Sequence, residues 1–144
     1  LLLLAATNEP WSIDPALRRE GRFGSTIFIP PPDEESRRAI FQIEMAPKPV
    51  QDLDYTELAA LTQGLSGADI KAVCEMAIDI PLKESMKTKE RRSITMDDMK
   101  LGILKINSVL PQWFAKAREQ IGKRKLEDGF PELVGKVPIA VLTH

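Results

Sequence analysis

The chain opens on an unbroken apolar run, Leu1 to Ala6, that ends in the polar pair Thr7-Asn8. Such a run predicts a buried parallel strand delivering a polar side chain at its carboxyl end, where open α/β sheets bind ligands. Pro10 ends it. Asp14-Pro15 opens a short helix, with Asp14 as N-cap and Pro15 at the first helical position, and Gly21 breaks that helix. Thr26-Ile27-Phe28-Ile29 is β-branched and aromatic and predicts a second short strand. Pro30-Pro31-Pro32 cannot continue a central strand and reads as a stiff linker. A domain boundary is therefore expected after residue 32.

Beyond the prolines the pattern is helical only. Asp33 caps a helix over 34–44 with acidic residues in its first turn, as the helix dipole prefers; its apolar positions Ile40, Phe41, Ile43 and Met45 cluster late. Asp54 caps a short helix over 55–61, closed by Gly64. Ser66 caps a long one from Gly67 to about Lys87, where Ile70, Val73, Cys74, Ala77 and Ile78 recur at helical spacing and predict a core-facing stripe. Pro81 falls inside it, so a kink or an end is expected near Asp79-Ile80. Thr95 to Asp98 resembles a capping box and starts a helix to about Ile106. A last helix runs from Ser108–Pro111 to about Lys125, carrying Trp113, Phe114, Ala117 and Ile121. The tail, 126–144, is apolar at Val137 to Leu142 and reads equally as a short strand or as an irregular segment packing on a neighbour. The fold class expected is mainly α: the last strands of a parallel α/β core (1–32), then a small helical domain (33–125), then the tail.

Composition narrows the function classes. The 144 residues carry 20 basic against 21 acidic side chains, a formal charge of −1. That balance gives no global attraction to nucleic acid or to an anionic membrane. No apolar run approaches the roughly 20 residues of a membrane span. Leu1 to Ala6 is too short for a signal-peptide core. The single cysteine, Cys74, has no internal disulfide partner and lies on the apolar stripe, so it reads as a buried, inert thiol in a cytoplasmic protein. His144, the only histidine, is terminal and has no partners for a metal or general-base role, and no metal site is expected. Met76, Met86, Met96 and Met99 read as core filler. Lys116, Arg118, Lys123, Arg124 and Lys125 interleave with Trp113 and Phe114, but an amphipathic helix turning its aromatics inward is preferred to a nucleic-acid face.

The candidate chemistry sits near the start. Asn8 follows the first strand, and Arg19 and Arg22 flank a glycine-containing turn. Arginine is always charged, and its planar fork fits phosphate oxygens. The stretch from Ala6-Thr-Asn8 through Ile13-Asp-Pro-Ala-Leu-Arg-Arg-Glu-Gly-Arg-Phe23 resembles the second half of the AAA+ ATPase core, in its classical AAA branch. The resemblance implies that Asn8 is the sensor-1 residue orienting the attacking water. It implies that Arg19 and Arg22 are arginine fingers acting on nucleotide held by the neighbouring subunit. Residues 33–125 resemble the helical lid of the same family, through Gly64-Leu-Ser-Gly-Ala-Asp-Ile70. There Gly67 and Ala68 would border the base and ribose of ATP or ADP, and Glu44 stands where many relatives place a nucleotide-contacting histidine.

No G-x-x-x-x-G-K-[ST] loop occurs, nor an apolar run ending in the acidic pair that would hold Mg²⁺. The chain is therefore expected to be the carboxyl-terminal part of one AAA module, inactive in ATP hydrolysis by itself, with ATP and Mg²⁺ used by the whole parent. The resemblance implies a ring, a hexamer, that remodels or unfolds protein substrates. The spelling Arg19-x-Gly-Arg22-Phe points to the protein-unfolding and proteasome-activating types. A non-catalytic assembly module, using lid and tail as an interface, is the alternative. Departures from the family pattern are Glu9 for the usual Arg, Glu20 between the arginines, Gly24-Ser25 after the phenylalanine, Glu44, and Pro81 in the long helix.

Overall fold

A computed structural model describes residues 2–19, 21–123 and 133 of the chain. Glu20 and the tail, apart from Leu133, lie outside the described residues. The chain is mainly helical. Its α-helices among the described residues are α1 (Glu34–Met45), α2 (Tyr55–Leu61), α3 (Gly67–Thr88), α4 (Met96–Lys105) and α5 (Leu110–Lys123), preceded by 3-10 turns at Pro10–Ser12 and Pro15–Arg18. Two compact units divide the chain: Pro31–Leu110, and Leu1–Pro30 together with the chain from Pro111 onward. The division thus falls at the triple proline and again just inside α5, and groups α5 with the amino-terminal segment.

Local chemistry explains the helix starts. The Asp33 carboxylate accepts from the Ser36 N–H at 2.8 Å, and Asp54 accepts from Thr56 and Glu57. Each supplies a partner to amides that the first helical turn leaves without one. At α3 a full capping box forms: Ser66 Oγ accepts from the Asp69 N–H, and the Asp69 carboxylate accepts from the Ser66 N–H. α3 ends at Lys89, whose left-handed backbone (φ 62°) turns its N–H back onto the Ser85 carbonyl.

The core of the helical unit is built from Phe41 and Met45 of α1, Leu58 of α2, Ile70, Val73, Cys74 and Ala77 of α3, Ile94, and Met99 of α4. Fully burying a side chain of the larger kind stabilises by about 1.5–3 kcal/mol. The connecting loops are pinned too: Ile94 donates to the Pro49 carbonyl and accepts from the Gln51 N–H, both at 2.9 Å, a parallel bridge centred on Val50. Helices α3 and α4 approach so closely at Gly102 that a Cβ there would stand 2.8 Å from the Val73 carbonyl oxygen. Backbone cannot yield as a side-chain tip can. Gly102→Ala is therefore expected to lower stability by about 1–3 kcal/mol, read as a reduced urea midpoint at unchanged slope. An unshifted midpoint would mean that the two helices separate without cost.

Three expectations are corrected. Segments 2–6 and 26–29 carry no regular secondary structure and join no strand pairing among the described residues; Leu2, Leu4, Ile27 and Ile29 are each more than 80% exposed. A strand exists by virtue of its neighbours' hydrogen bonds, and an apolar run alone does not supply them. Of the kink or end expected near Asp79-Ile80, the end does not occur: α3 continues to Thr88 with Pro81 buried inside it. The proline removes one amide donor, yet the helix runs on past it: the buried stripe Ile70, Val73, Cys74 and Ala77 ends on Pro81 itself, and tertiary packing commonly overrides local propensity. Met86 is not core filler; it is 78% exposed, whereas Met99 is fully buried. Cys74 is buried, and burial, reinforced by the charges of Glu44 and Glu75, pushes its thiol up to about 12.

Candidate functional site

The expected site residues fall into two groups, one in each unit. In the first unit, Asn8 is exposed on a short turn. The Glu9 N–H donates to Thr7 Oγ1 at 3.0 Å. The Asn8 carbonyl accepts from the indole N–H of Trp113 on α5. The Glu9 carboxylate accepts from Lys116, also on α5, and from the Ser12 hydroxyl. These bonds, Lys116 first, hold the Glu9 carboxyl below the usual carboxylate range. The Trp113 ring lies 5.7 Å from Trp11, 6.2 Å from Phe28 and 5.3 Å from Phe114, centroid to centroid. Trp11, Ala117 and Leu133 are the buried centre of this cluster.

The two arginines sit at the ends of one turn. The Asp14 carboxylate accepts from the Ala16 N–H and caps Pro15–Arg18. The chain then reverses: the Arg22 N–H donates to the Arg19 carbonyl at 3.2 Å, and Gly21 takes φ 81°. A side chain there would be strained, which accounts for a glycine between the two arginines. The Phe23 N–H donates to the Leu17 carbonyl and closes the loop. Both arginines are exposed, and Arg22 Nη1 donates to the Ala16 carbonyl at 3.0 Å. One bond steers a guanidinium that has five N–H donors without saturating it.

In the helical unit, Gly67 and Ala68 form the first turn of α3, half-buried and exposed respectively. A Cβ on Gly67 would meet only Ile40 Cδ1, at 3.7 Å, an ordinary contact. The fold itself therefore does not demand a glycine here, although glycine weakens a helix by about 1 kcal/mol relative to alanine. The Asp69 carboxylate that caps this turn also accepts from the Ser108 hydroxyl at 2.7 Å, tying the loop after α4 to the start of α3. Glu44 is half-buried, one helical turn after Ile40, and its charge is felt at Cys74.

Two polar clusters escaped the sequence reading. Arg37 is buried and donates to the Ala59 and Pro32 carbonyls. The signal was its phase: Arg37, Phe41 and Met45 repeat every four residues on one face of α1. The second cluster joins Arg92 to Asp98 by two bonds, 2.6 and 3.0 Å, and to Glu84 at 2.6 Å. Burial raises the Asp98 carboxyl, but Arg92 and the Thr95 N–H and hydroxyl outweigh it and leave it lowered. The sign follows. A lowered carboxyl contributes stability that is fully present above the unfolded-state value of about 4 and is lost as pH falls through the folded-state value. The stability of the wild type, read by denaturant unfolding, is expected to fall more steeply between pH 5 and 2 (roughly the window of that loss) than that of Asp98→Asn. Parallel profiles would show Asp98 to carry no such linkage.

Residues 1–31 match the family described as "ATPase family associated with various cellular activities (AAA)", and residues 52–101 match the AAA+ lid domain. The chain belongs to the AAA family. The AAA match spans the amino-terminal segment of the first unit and ends at Pro31, where the second begins; the lid match lies within the second, and neither extends to α5. Among relatives, the chain is 48% identical over 88 residues to the Cell division cycle protein 48 homolog of Archaeoglobus fulgidus, covering 60% of this chain and 12% of that protein. It is 40% identical over 129 residues to the Proteasome-activating nucleotidase of Methanopyrus kandleri, covering 88% of this chain and 25% of that protein. The AAA chain thus spans a quarter or less of the length of these relatives. Among the described residues, no helix is long and apolar enough to cross a membrane, and no three His, Cys, Asp or Glu gather as a metal site.

Proposed function

We propose that this chain is the carboxyl-terminal part of an AAA ATPase module, and that the assembled protein is a cytoplasmic ring of six subunits. The ring couples ATP binding and hydrolysis to the unfolding of protein substrates. Asn8 orients the attacking water. Arg19 and Arg22 reach into a neighbouring subunit's site and stabilise charge on the transferring phosphoryl group. Gly67 and Ala68 border the base and ribose, and Glu44 takes the position at which many relatives carry a nucleotide-contacting histidine. Mg²⁺, used by the whole parent, would supply charge neutralisation at the phosphates, and none of these residues is given a role as its ligand.

The observation that carries this reading is the first turn of α3. A glycine costs helix stability there, no neighbour within the unit requires it, and it leaves backbone amides open to a flat ring at a helix N-terminus. The arginine turn supports it independently, because both arginines are exposed and the bond of Arg22 to the Ala16 carbonyl leaves most of its donors for a ligand.

Calorimetric titration of the 144-residue chain with ADP tests the division of labour. Weak binding without saturation is expected, because most nucleotide affinity in such sites comes from a phosphate-cradling loop. Tight, stoichiometric binding would overturn the reading that the site is shared with residues outside this sequence.

A further inference from the structure

The turn that carries Asn8 is held from three sides, and two of the holding groups come from α5. Thr7 Oγ1 accepts the Glu9 N–H, Trp113 donates its indole N–H to the Asn8 carbonyl, and Lys116 grips the Glu9 carboxylate. These contacts lie within one compact unit. Trp113, Lys116 and Ala117 follow the i, i+3, i+4 spacing that puts side chains on one helix face. Ala117 is fully buried, so this face is the one α5 turns inward. The Trp113 ring has little freedom to turn, since it packs on Trp11, Phe28 and Phe114. Its N–H direction is therefore set by packing rather than by the single hydrogen bond. The Lys116 ammonium also sits 5.7 Å from the Trp11 ring centroid, within cation–π range.

We infer that Trp113 and Lys116 are positioning residues for Asn8. They fix the backbone on either side of it, so that its exposed side chain points in one direction. The inference rests on the proposed role of Asn8 as the residue that orients water. It assigns a task to α5, which lies beyond both family matches. It also accounts for Glu9: the arginine of the family pattern would face Lys116 with like charge, whereas glutamate and lysine attract. Displacing a group that aligns a nucleophile acts on the chemical step more than on binding, and a shift of about 1 Å can lower the rate on the order of 100-fold.

Two measurements test this. In the 144-residue chain, ¹H–¹⁵N spectra are compared for wild type, Trp113→Phe, Lys116→Glu and the exchanged pair Glu9→Lys/Lys116→Glu. Trp113→Phe keeps an aromatic ring against Trp11, Phe28 and Phe114 while removing the donor and part of the contact area. It is expected to move the Asn8 backbone and side-chain resonances while the resonances of the helical unit stay in place. Lys116→Glu should move them too, and the exchanged pair should return them toward the wild type. Asn8 resonances unmoved in both single variants would overturn the inference. In the assembled ATPase, Trp113→Phe is expected to lower kcat by about tenfold or more, with KM nearly unchanged. Moved resonances with unchanged kcat would mean that the brace exists but Asn8 does not align the water. That outcome would overturn the proposed role of Asn8 and leave the hydrogen-bonded turn standing.

Discussion

Replacing Arg22 by alanine is expected to lower ATP turnover of the assembled ring by about 10³-fold or more, with nucleotide affinity nearly intact. The size comes from the transition state. Charge spreads over the equatorial oxygens of the transferring phosphoryl group, and a guanidinium delivered to it is worth on the order of 10³ to 10⁵ in rate. The small effect on affinity follows from where Arg22 stands: on an exposed turn, steered by Gly21 and by its bond to the Ala16 carbonyl, and proposed to serve a neighbouring subunit's nucleotide rather than its own. Arg22→Lys should rescue little, because a point charge lacks the fork that holds two oxygens. The trans arrangement has its own signature. An Arg22→Ala subunit retains a working phosphate loop, and a subunit with a disabled loop retains its arginines. Mixing the two inactive forms should restore part of the turnover, since some interfaces combine both intact halves. Unchanged turnover in Arg22→Ala would refute the finger assignment and favour a non-catalytic assembly role for this chain.

The largest expected effect on stability lies at Arg37. Its Nε and Nη2 donate to the Ala59 carbonyl at 3.0 and 2.9 Å, and its Nη1 to the Pro32 carbonyl at 3.0 Å. Ala59 lies in the last turn of α2, where carbonyls lack helical partners. The guanidinium thus closes α2, ties it to α1 and anchors the proline linker. Arg37→Met keeps much of the volume and removes every donor. The Ala59 carbonyl would keep only the longer bond from Thr62, at 3.3 Å, and the Pro32 carbonyl would lose its arginine donor. A loss of about 3 kcal/mol is expected, as for hydrogen bonds to a charged group removed from a buried site. For a unit of this size that corresponds to a fall in Tm of roughly 12–24 °C. Arg38, next in sequence but exposed, is the control; Arg38→Ala should change stability by less than about 0.5 kcal/mol. A loss below about 1 kcal/mol for Arg37→Met would show the carbonyls to be rescued by water.

The helical unit was legible because its signals are local. Asp33, Asp54, Ser66 and Thr95 each precede a helix by one residue, as capping chemistry demands, and the Ile70–Ala77 stripe marks the face that α3 buries. What escaped was non-local. Nothing near Val50 or Ile94 announces that they pair, because a bridge is a property of two segments. The runs 2–6 and 26–29 carry the composition of strands, but pairing is supplied by neighbours. At Pro81 a local rule against proline left an end of the helix open, and the helix runs on to Thr88 with the proline buried at the close of the apolar stripe. For the candidate site, the residues proposed for it could be named from the sequence, whereas the contacts that hold them could not. Asn8, Arg19, Arg22, Gly67 and Ala68 could be picked out in sequence. The Trp113 and Lys116 contacts to the Asn8 turn depend on α5 returning to residues more than a hundred positions earlier.

The bridge between the loops at Val50 and Ile94 has a consequence for how the helical unit comes apart. Connections between helices are ordinarily the first places to fray, because their amides face water and open with little loss of packing. Here the Ile94 and Gln51 amides are bonded across the gap, and the Ile94 side chain is part of the core. Opening either loop therefore breaks two hydrogen bonds and exposes a core residue together. The two connections join the cooperative unit that they would otherwise merely link. A protease probing this part of the protein would find its openings governed by global unfolding rather than by the loops themselves.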